Sequence, residues 1–294
     1  MGSNDAFASP VLVGGTGRSG STIVGHLLDH HRSLTLTRPM EVRFITGNDG
    51  VADALAIAIK NPKSAKATQA AQLAADRIRF RWFERAENVG LHTSISQTLL
   101  EEWLEAYLAS FSADPLAASQ SLVHLVMAAV AESAGAQRWV DTTPANARKA
   151  DKVEPIYPDS KVIVVTRDGR DVSASFVQQP FGPNDVFEAL DQWEQRMLRA
   201  HRAAMNSRPG RVLTIELIDL VARAREETVQ QICSFLDVDE DPLMLEWFNA
   251  NVTANNAHVG RWRAQFDDST AEQIDAYYEK ICSRLVADGV EVPA

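Results

Sequence analysis

The sequence predicts a three-layer α/β/α fold in which helices cover both faces of a central, mainly parallel β-sheet. Three observations predict it. Short apolar segments alternate along the chain with longer amphipathic ones. Two of the apolar segments end in a glycine-containing turn that leads directly into a helix pattern. Residues of about 50–135 are alanine-rich and helical in pattern, which indicates a helical insertion, or lid, within a single domain spanning residues 10–294.

The strands are predicted from apolar, β-branched segments that are bounded by turn residues. The strongest of these is Lys161–Thr166, with the sequence KVIVVT. The other predicted strands are residues 11–15, 34–37, 138–141 and 211–216. Because helical segments separate them, we expect crossover connections and parallel pairing.

The helices are predicted from apolar residues that recur every three or four positions. After the first strand this pattern covers residues 22–30, and inside the insertion it covers residues 98–111 and 119–134. The remaining predicted helices begin at residue 168 and cover residues 185–206, 219–236 and 267–287.

Charge and cysteine content exclude several classes of function. With 29 Lys and Arg against 39 Asp and Glu, the net charge is −10, so a broad nucleic-acid-binding face is not expected. A basic cleft remains compatible with this charge. The two cysteines, Cys233 and Cys282, form no CxxC pair, which favours a reducing, cytoplasmic location over a disulfide framework or zinc site.

Targeting and membrane signals are not evident in the sequence. Residues 1–10 have neither a basic n-region nor an apolar h-region, so we expect no secretory signal. The longest apolar run, residues 122–131, is too short to cross a bilayer, and we therefore expect no stable membrane insertion. The sequence indicates no oligomeric state.

The first glycine loop is the segment Gly15, Thr16, Gly17, Arg18, Ser19, Gly20, Ser21 and Thr22, which lies between the first strand and the first helix. Glycines allow successive backbone N–H groups to point inward, and the helix N-terminus adds positive potential. A loop in this position is suited to hold a phosphate group.

Two known loop types fit this segment incompletely. A Walker A loop needs a lysine where this chain has Ser21, which disfavours ATP or GTP hydrolysis. Gly15, Gly17 and Gly20 satisfy the GxGxxG pattern of dinucleotide-binding folds, so an NAD(P)-dependent oxidoreductase stays as an alternative. Tyr157 and Lys161 have the Tyr-x3-Lys spacing of short-chain dehydrogenases, in which the pair lies on a helix. Here the pair does not lie on a helix, because Pro158 follows the tyrosine and Lys161 opens a strand.

The segment from Arg18 to Thr22, RSGST, resembles the 5′-phosphosulfate loop of P-loop-like sulfotransferases that use 3′-phosphoadenosine 5′-phosphosulfate (PAPS). In that family a cation stands where Arg18 does. Sulfuryl transfer leaves negative charge on the bridging oxygen, which a guanidinium can stabilise without a metal ion. The resemblance implies PAPS as cosubstrate, adenosine 3′,5′-bisphosphate (PAP) as product and no metal.

A second strand–turn–helix segment, VIVVTRDGRDVSAS, resembles the family's 3′-phosphate motif. There an arginine at the strand end and a serine eight residues later hold the 3′-phosphate, and Arg167 and Ser175 have this spacing. A third resemblance lies at Gly260, Arg261 and Trp262, next to the basic Arg263. It implies that Trp262 stacks on adenine and that the neighbouring arginines reach the 3′-phosphate.

Glu41 and Arg43 match the Glu-x-Arg of tyrosylprotein-type and related bacterial carbohydrate sulfotransferases. The resemblance implies that Glu41 is the general base and that Arg43 lines the acceptor site. A surface ion pair of Glu41 with Arg38 or Arg43 is the structural alternative. His26, His30 and His31 are rival bases, although His30 and His31 fall at a helix end, where histidine is a common capping residue.

One position departs from the family pattern. The segment DTTPAN, residues 141–146, resembles a family segment in which a lysine assists at the sulfuryl group, but this chain has Thr142 there. Another cation would have to substitute.

These resemblances together predict a PAPS-dependent sulfotransferase with a small-molecule, carbohydrate or lipid acceptor. A non-catalytic nucleotide-binding paralogue is a further alternative, which the departure at Thr142 favours.

Overall fold

The computed structural model describes residues 9–85, 90–135 and 138–293. In this part of the chain five strands form one sheet in the order β2-β3-β1-β4-β5, and every neighbouring pair is parallel. The strands are β1 Val11–Gly15, β2 Thr35–Leu36, β3 Trp139–Asp141, β4 Lys161–Thr166 and β5 Val212–Glu216. The predicted strand at residues 34–37 is therefore reduced to two residues.

The helices form two outer layers around this sheet, which confirms the predicted three-layer class. Their bounds are α1 Ser21–Asp29, α2 Val51–Ala58, α3 Ala65–Arg77, α4 Gln97–Phe111, α5 Pro115–Ser133, α6 Ala150–Val153, α7 Gly169–Val177, α8 Val186–Asn206, α9 Arg225–Leu236, α10 Pro242–Asn251 and α11 Asp268–Ala287. Helix α10 was not predicted, although Asp241 at its N-cap and Pro242 in its first turn are typical start signals. The predicted helix 219–236 is divided, since a π-helical turn, Asp219–Arg223, precedes α9.

Alternate residues of the central strands face opposite layers, as the two-residue period of a strand requires. Val11, Val13, Ile163 and Val165 pack in a core with α1, α9 and α10. Leu12, Val162 and Val164 belong to a second core, which they share with the helical segment of residues 50–135. The helical segment and the sheet therefore have a common hydrophobic core.

Helix α5 is 19 residues long and apolar enough, by length and composition, to cross a membrane. Core helices of globular proteins pass the same test. In this fold Leu122, Val126 and Val130 of α5 are buried in the core shared with the sheet.

The position of the functional site follows from the strand order. β1 pairs with β4 in a register that places Gly15 opposite Val165, so the turns after these strands are neighbours. The connection from β1 leads through α1 to the far edge of the sheet, while β4 lies on the other side of β1. Such a switch point opens a crevice at the carboxyl ends of the strands, where α/β proteins bind ligands.

Candidate functional site

A cleft of about 740 Å³ lies at this switch point. The first glycine loop, the turn after β3, α8 and the helical segment all contribute to its walls. Two of its lining residues are carboxylic acids, Glu41 and Asp49. Seven are arginines, namely Arg18, Arg43, Arg77, Arg81, Arg148, Arg167 and Arg196. A chain of net charge −10 thus has a strongly basic cleft.

The first glycine loop has the backbone of an anion-binding nest. Gly17, Arg18 and Gly20 have φ angles of +83°, +56° and +104°. The amide N–H groups of residues 17–22 donate to no acceptor within the described part of the chain. Since Ser21 opens α1, these amides and the helix N-terminus together provide donors for one anionic group.

Glycine is required in this loop for space as well as for conformation. A Cβ atom on Gly15 would lie 2.6 Å from the Val165 carbonyl oxygen of the neighbouring strand, while Gly17 and Gly20 have positive φ angles that residues with a side chain rarely adopt. Thr16, Gly17, Arg18, Gly20, Ser21 and Thr22 line the cleft. Gly15 and Ser19 lie beneath the loop surface, and the Ser19 side chain is fully buried.

The second predicted motif meets the first loop directly. Arg18 Nε donates to Ser175 Oγ at 3.0 Å, and Arg167 Nη1 donates to the Arg18 carbonyl oxygen at 3.2 Å. Arg167 follows β4, and Ser175 lies two turns into α7. Two segments about 150 residues apart in sequence therefore meet at one edge of the cleft. Arg18 and Arg167 line the cleft there, whereas Ser175 lies outside its lining and contacts it through Arg18.

Asp171 connects the second motif to the third. Its buried carboxylate accepts from the Gly260 amide at 2.8 Å and from the Trp262 amide at 3.2 Å, and it pairs with Arg167 Nη2 at 3.3 Å. The sequence indicates Asp171 only as part of a salt-bridged turn with Arg167, and the structure contains that ion pair.

Gly260, Arg261 and Trp262 themselves lie outside the cleft lining, and the residues of this loop that reach the cleft are 256–258. Because Asp171 draws the backbone onto α7, the Trp262 ring enters the core, where Arg170 lies 5.1 Å from its centroid. Arg261 bonds to Asn255 Oδ1 at 2.7 Å. These three residues do not contact the cleft directly in this structure, and the roles predicted for them stay predictions.

Glu41 and Arg43 lie in the cleft as an ion pair, so the surface pairing considered for Glu41 is present, but within the site. Arg43 Nε donates to Glu41 Oε2 at 2.7 Å, and Arg43 Nη2 donates to the same oxygen. The Glu41 side chain is 26% exposed. Its carboxylate is therefore oriented and still open to the cleft.

A buried aspartate supports the backbone between Glu41 and Arg43. Asp141, at the end of β3, accepts from the Val42 amide at 3.0 Å, from Thr143 Oγ1 at 3.0 Å and from Asn146 Nδ2 at 2.8 Å. Burial raises the pKa of Asp141 to about 6, although these hydrogen bonds lower it. The Thr143 hydroxyl also accepts from the Arg43 amide at 3.2 Å.

Comparison with known proteins identifies the family. A model of the sulfotransferase family matches residues 10–242, most of the chain. The chain belongs to the sulfotransferase family. A putative protein-tyrosine sulfotransferase from Caenorhabditis briggsae is 27% identical over 129 residues, which are 41% of this chain and 45% of that protein. The aligned region thus spans less than half of this relative's length.

Solved sulfotransferase structures share the fold over nearly the whole chain. A sulfotransferase domain from the curacin biosynthetic pathway has a TM-score of 0.51 and 16% identity, covering 98% of this chain and 99% of that one. The sulfotransferase domain of the Synechococcus PCC 7002 olefin synthase has a TM-score of 0.53 and 17% identity, with 96% and 98% covered. A mouse sulfotransferase in complex with PAP has a TM-score of 0.50 and 10% identity, with 95% and 87% covered.

The rival histidines do not line the sulfotransferase cleft. His31 bonds to the Asp239 carbonyl oxygen at 2.9 Å, and the His30 ring stacks on Trp247 at 4.7 Å. Neither they nor His26 is among its lining residues. Tyr157, part of the alternative dehydrogenase spacing, is buried against Trp139. Of the candidate bases, the structure brings Glu41 to the cleft.

Thr142, at the place of the family lysine, is buried and faces α1. Its hydroxyl donates to the Met40 carbonyl oxygen at 3.0 Å, and its methyl group fills the space beside Gly25. Thr142 therefore brings no positive charge to the cleft.

The cleft residues that sequence reasoning missed include four arginines, which are Arg77, Arg81, Arg148 and Arg196. They lie on α3, the following π-helical turn Ile78–Trp82, the turn after β3 and α8. The π-helical turn is itself a weak signal, because such turns are often found at functional sites. Helix periodicity gives no sign that these side chains converge.

Proposed function

We propose that this protein binds PAPS and transfers its sulfuryl group to a hydroxyl group of an acceptor. One observation carries the proposal: the unpaired amides of the first loop lie beside Arg18, Ser175 and Arg167, which form a connected group of anion-binding side chains. A nucleotide with phosphate groups at two positions needs two such sites within one cleft.

The assignment of the two ends follows the two motifs. The loop amides and Arg18 would hold the 5′-phosphosulfate, and Arg167 with Ser175 would hold the 3′-phosphate. PAPS supplies an activated sulfuryl group, so catalysis needs correct positioning, charge stabilisation and a proton acceptor. The orphan amides, the helix N-terminus and the arginine-rich cleft fit these needs.

Glu41 would act as the general base in this reaction. As the acceptor oxygen forms its bond to sulfur, the bond between sulfur and the bridging phosphate oxygen breaks, the proton of the acceptor hydroxyl moves to Glu41, and PAP leaves. Arg43 orients the carboxylate through Oε2 and lines the acceptor side. Arg18 would stabilise the charge that develops on the leaving oxygen.

The acceptor would be a small molecule, a carbohydrate or a lipid. The cleft has aromatic walls at Trp82, Phe176 and Phe181 in addition to its arginines. Aromatic faces suit a sugar ring, a phenol or an apolar chain, so a panel of all three classes is the appropriate screen.

Nucleotide binding is the first test. Calorimetry with PAP, 5′-AMP, NADP and ATP should give the tightest binding for PAP, roughly tenfold to a hundredfold tighter than for 5′-AMP, because a charge-assisted contact contributes about 1.5–3 kcal/mol. Equal affinity for PAP and 5′-AMP would contradict the two-site assignment. Preference for NADP would favour the oxidoreductase alternative.

Transfer is the second test, with radiolabelled PAPS and the acceptor panel. Labelled product from at least one acceptor is the expected result. Tight PAP binding with neither transfer nor PAPS hydrolysis would favour a non-catalytic nucleotide-binding protein.

A further inference from the structure

Four arginines of the cleft have no role in the proposed reaction, namely Arg77, Arg81, Arg148 and Arg196. Arg77 pairs with Asp49 and Arg81 is exposed, which leaves Arg148 and Arg196 as the two partly buried ones of interest. Arg148 follows β3 in a short helical turn, Pro144–Lys149, and Arg196 lies on α8. Both side chains line the cleft and are partly buried. Their hydrogen-bond partners are neutral: Arg196 donates to the Thr16 carbonyl oxygen at 2.6 Å and to Gln192 Oε1 at 3.1 Å, and Arg148 donates to Asn48 Oδ1 at 3.4 Å.

The charges of these two arginines are not balanced by a carboxylate within the described part of the chain. Arg43, Arg77 and Arg167 pair with Glu41, Asp49 and Asp171, respectively. No such pair is present for Arg148 or Arg196 among residues 9–85, 90–135 and 138–293. Asp53, the acidic group that acts on Arg148, is bonded to Lys149 Nζ at 2.5 Å and to Lys152 Nζ at 2.9 Å.

Burial and neighbouring positive charges both disfavour the charged form of these two guanidinium groups. Burial lowers the pKa of Arg148, and the charges of Arg196 and Arg199 lower it further. Burial also lowers the pKa of Arg196, with a contribution from Arg199. Two partly buried positive charges without a counterion are unfavourable, and a bound anion would relieve both the desolvation and the repulsion.

Their position in the cleft indicates which anion this is. Arg196 donates to the carbonyl oxygen of Thr16, which directly follows β1 in the first glycine loop. Arg148 belongs to the turn that directly follows Thr143, whose hydroxyl accepts from the Arg43 amide. The pair thus links the wall that would hold the phosphosulfate to the wall that carries Glu41.

We propose that Arg148 and Arg196 form an anion subsite for the oxygens of the sulfuryl group, next to the first glycine loop. This inference rests on the proposed function. In the transition state of transfer, the negative charge of the sulfuryl group lies on its three equatorial oxygens. Guanidinium groups suit these oxygens in the number and geometry of their N–H donors. The subsite supplies the positive charge that Thr142, buried against α1, does not.

The test compares two nucleotides that differ only in the sulfuryl group. PAPS and PAP affinities are measured without acceptor for the wild type, Arg148→Ala, Arg196→Ala and Arg196→Lys. In each Ala variant the ratio of PAPS affinity to PAP affinity should fall roughly tenfold, since one charge-assisted contact is lost. PAP affinity should stay within about twofold, because PAP lacks the group that the subsite binds. Arg196→Lys should restore part of the ratio.

Arg202→Ala is the matched control. Arg202 lies on the same helix, carries the same charge, is exposed outside the cleft lining, and is not among the charges that act on Arg148 or Arg196. An unchanged PAPS to PAP ratio in both Ala variants, with PAP affinity retained, would overturn the inference. An equal change in Arg202→Ala would also overturn it, because it would reveal a general charge effect. If wild-type protein fails to bind PAP, the proposed function fails instead, and the two failures are therefore distinguishable.

Discussion

The two ends of the cleft are constructed in different ways. The end proposed to bind the nucleotide consists of backbone amides and of side chains from two short segments that follow neighbouring strands. The end proposed to bind the acceptor collects Glu41 and Arg43, Arg81 and Trp82, and Arg148 from three separated segments. The first kind of site is visible as a motif, whereas the second depends on how distant helices pack. Chemistry at the two ends should therefore be separable by mutation.

The largest expected effect separates chemistry from nucleotide binding. Glu41→Gln keeps the shape of the side chain but cannot accept a proton at neutral pH. General-base assistance is typically worth 10²–10⁴-fold, so turnover should fall by roughly that factor. PAP affinity should not change, because a base acts only in the chemical step. Turnover from labelled PAPS and PAP calorimetry on one preparation provide the comparison.

Glu102→Gln, an exposed substitution on α4, controls for the loss of one negative charge. Near-normal turnover of Glu41→Gln would contradict the base assignment. An equal loss of turnover and of PAP affinity would instead place Glu41 in nucleotide binding.

The next effect concerns the support of the acceptor end. The pKa of Asp141 is about 6 in the folded protein, against an ordinary value of 3.8. Between about pH 4 and pH 6 the folded state therefore binds more protons than the unfolded state, and the free energy of unfolding falls as pH rises. At 1.36 kcal/mol per pKa unit, this group accounts for about 3 kcal/mol between pH 3.5 and pH 7.

Urea unfolding of the wild type and Asp141→Asn at several pH values isolates this contribution. Asparagine does not titrate, so the wild type should lose about 3 kcal/mol relative to the variant on going from pH 3.5 to pH 7. A stability difference that stays constant with pH would show that Asp141 has an ordinary pKa in the folded protein.

At the nucleotide end, Arg167→Ala should remove the preference for PAP over 5′-AMP. The loss is a charge-assisted contact to the 3′-phosphate, worth roughly tenfold to a hundredfold in PAP affinity. The affinity for 5′-AMP should change little, and calorimetry with both nucleotides measures this. If both affinities fall by the same factor, Arg167 supports the loop backbone through the Arg18 carbonyl oxygen rather than the 3′-phosphate.

The smallest effect tests the connection between the second and third motifs. Asp171→Asn keeps one acceptor oxygen but loses the other and the charge that pairs with Arg167. Binding must then also order the segment of residues 256–258. With about 0.5–1.5 kcal/mol per hydrogen bond, PAP should bind about two- to tenfold more weakly. Unchanged affinity would mean that this segment does not contribute to nucleotide binding.

The sheet and the first two motifs could be predicted because the information is local. The KVIVVT segment forms β4 over its whole length, and the RSGST segment forms the end of the loop and the start of α1. In each case a β-branched strand, a turn and a helix follow one another within about 15 residues. Parallel pairing then places the two turns side by side.

The remainder of the site depends on tertiary contacts. Arg196 reaches the loop because α8 packs beside β1 and the turn after β3, and helix periodicity does not encode that approach. The Trp262 ring turns into the core because Asp171 bonds to the backbone amides beside it, about 90 residues away in sequence. Neither contact has a local sequence signal.

The contrast between an acidic surface and a basic cleft has a kinetic consequence. With a net charge of −10, the protein repels anions at long range, but the Debye length at physiological ionic strength is only about 8 Å. An incoming nucleotide therefore experiences the surface as weakly repulsive until it reaches the mouth of the cleft. There the low-dielectric walls focus the field of seven arginines. Encounters elsewhere on the surface are thus unproductive and brief, and capture is concentrated at the carboxyl edge of the sheet.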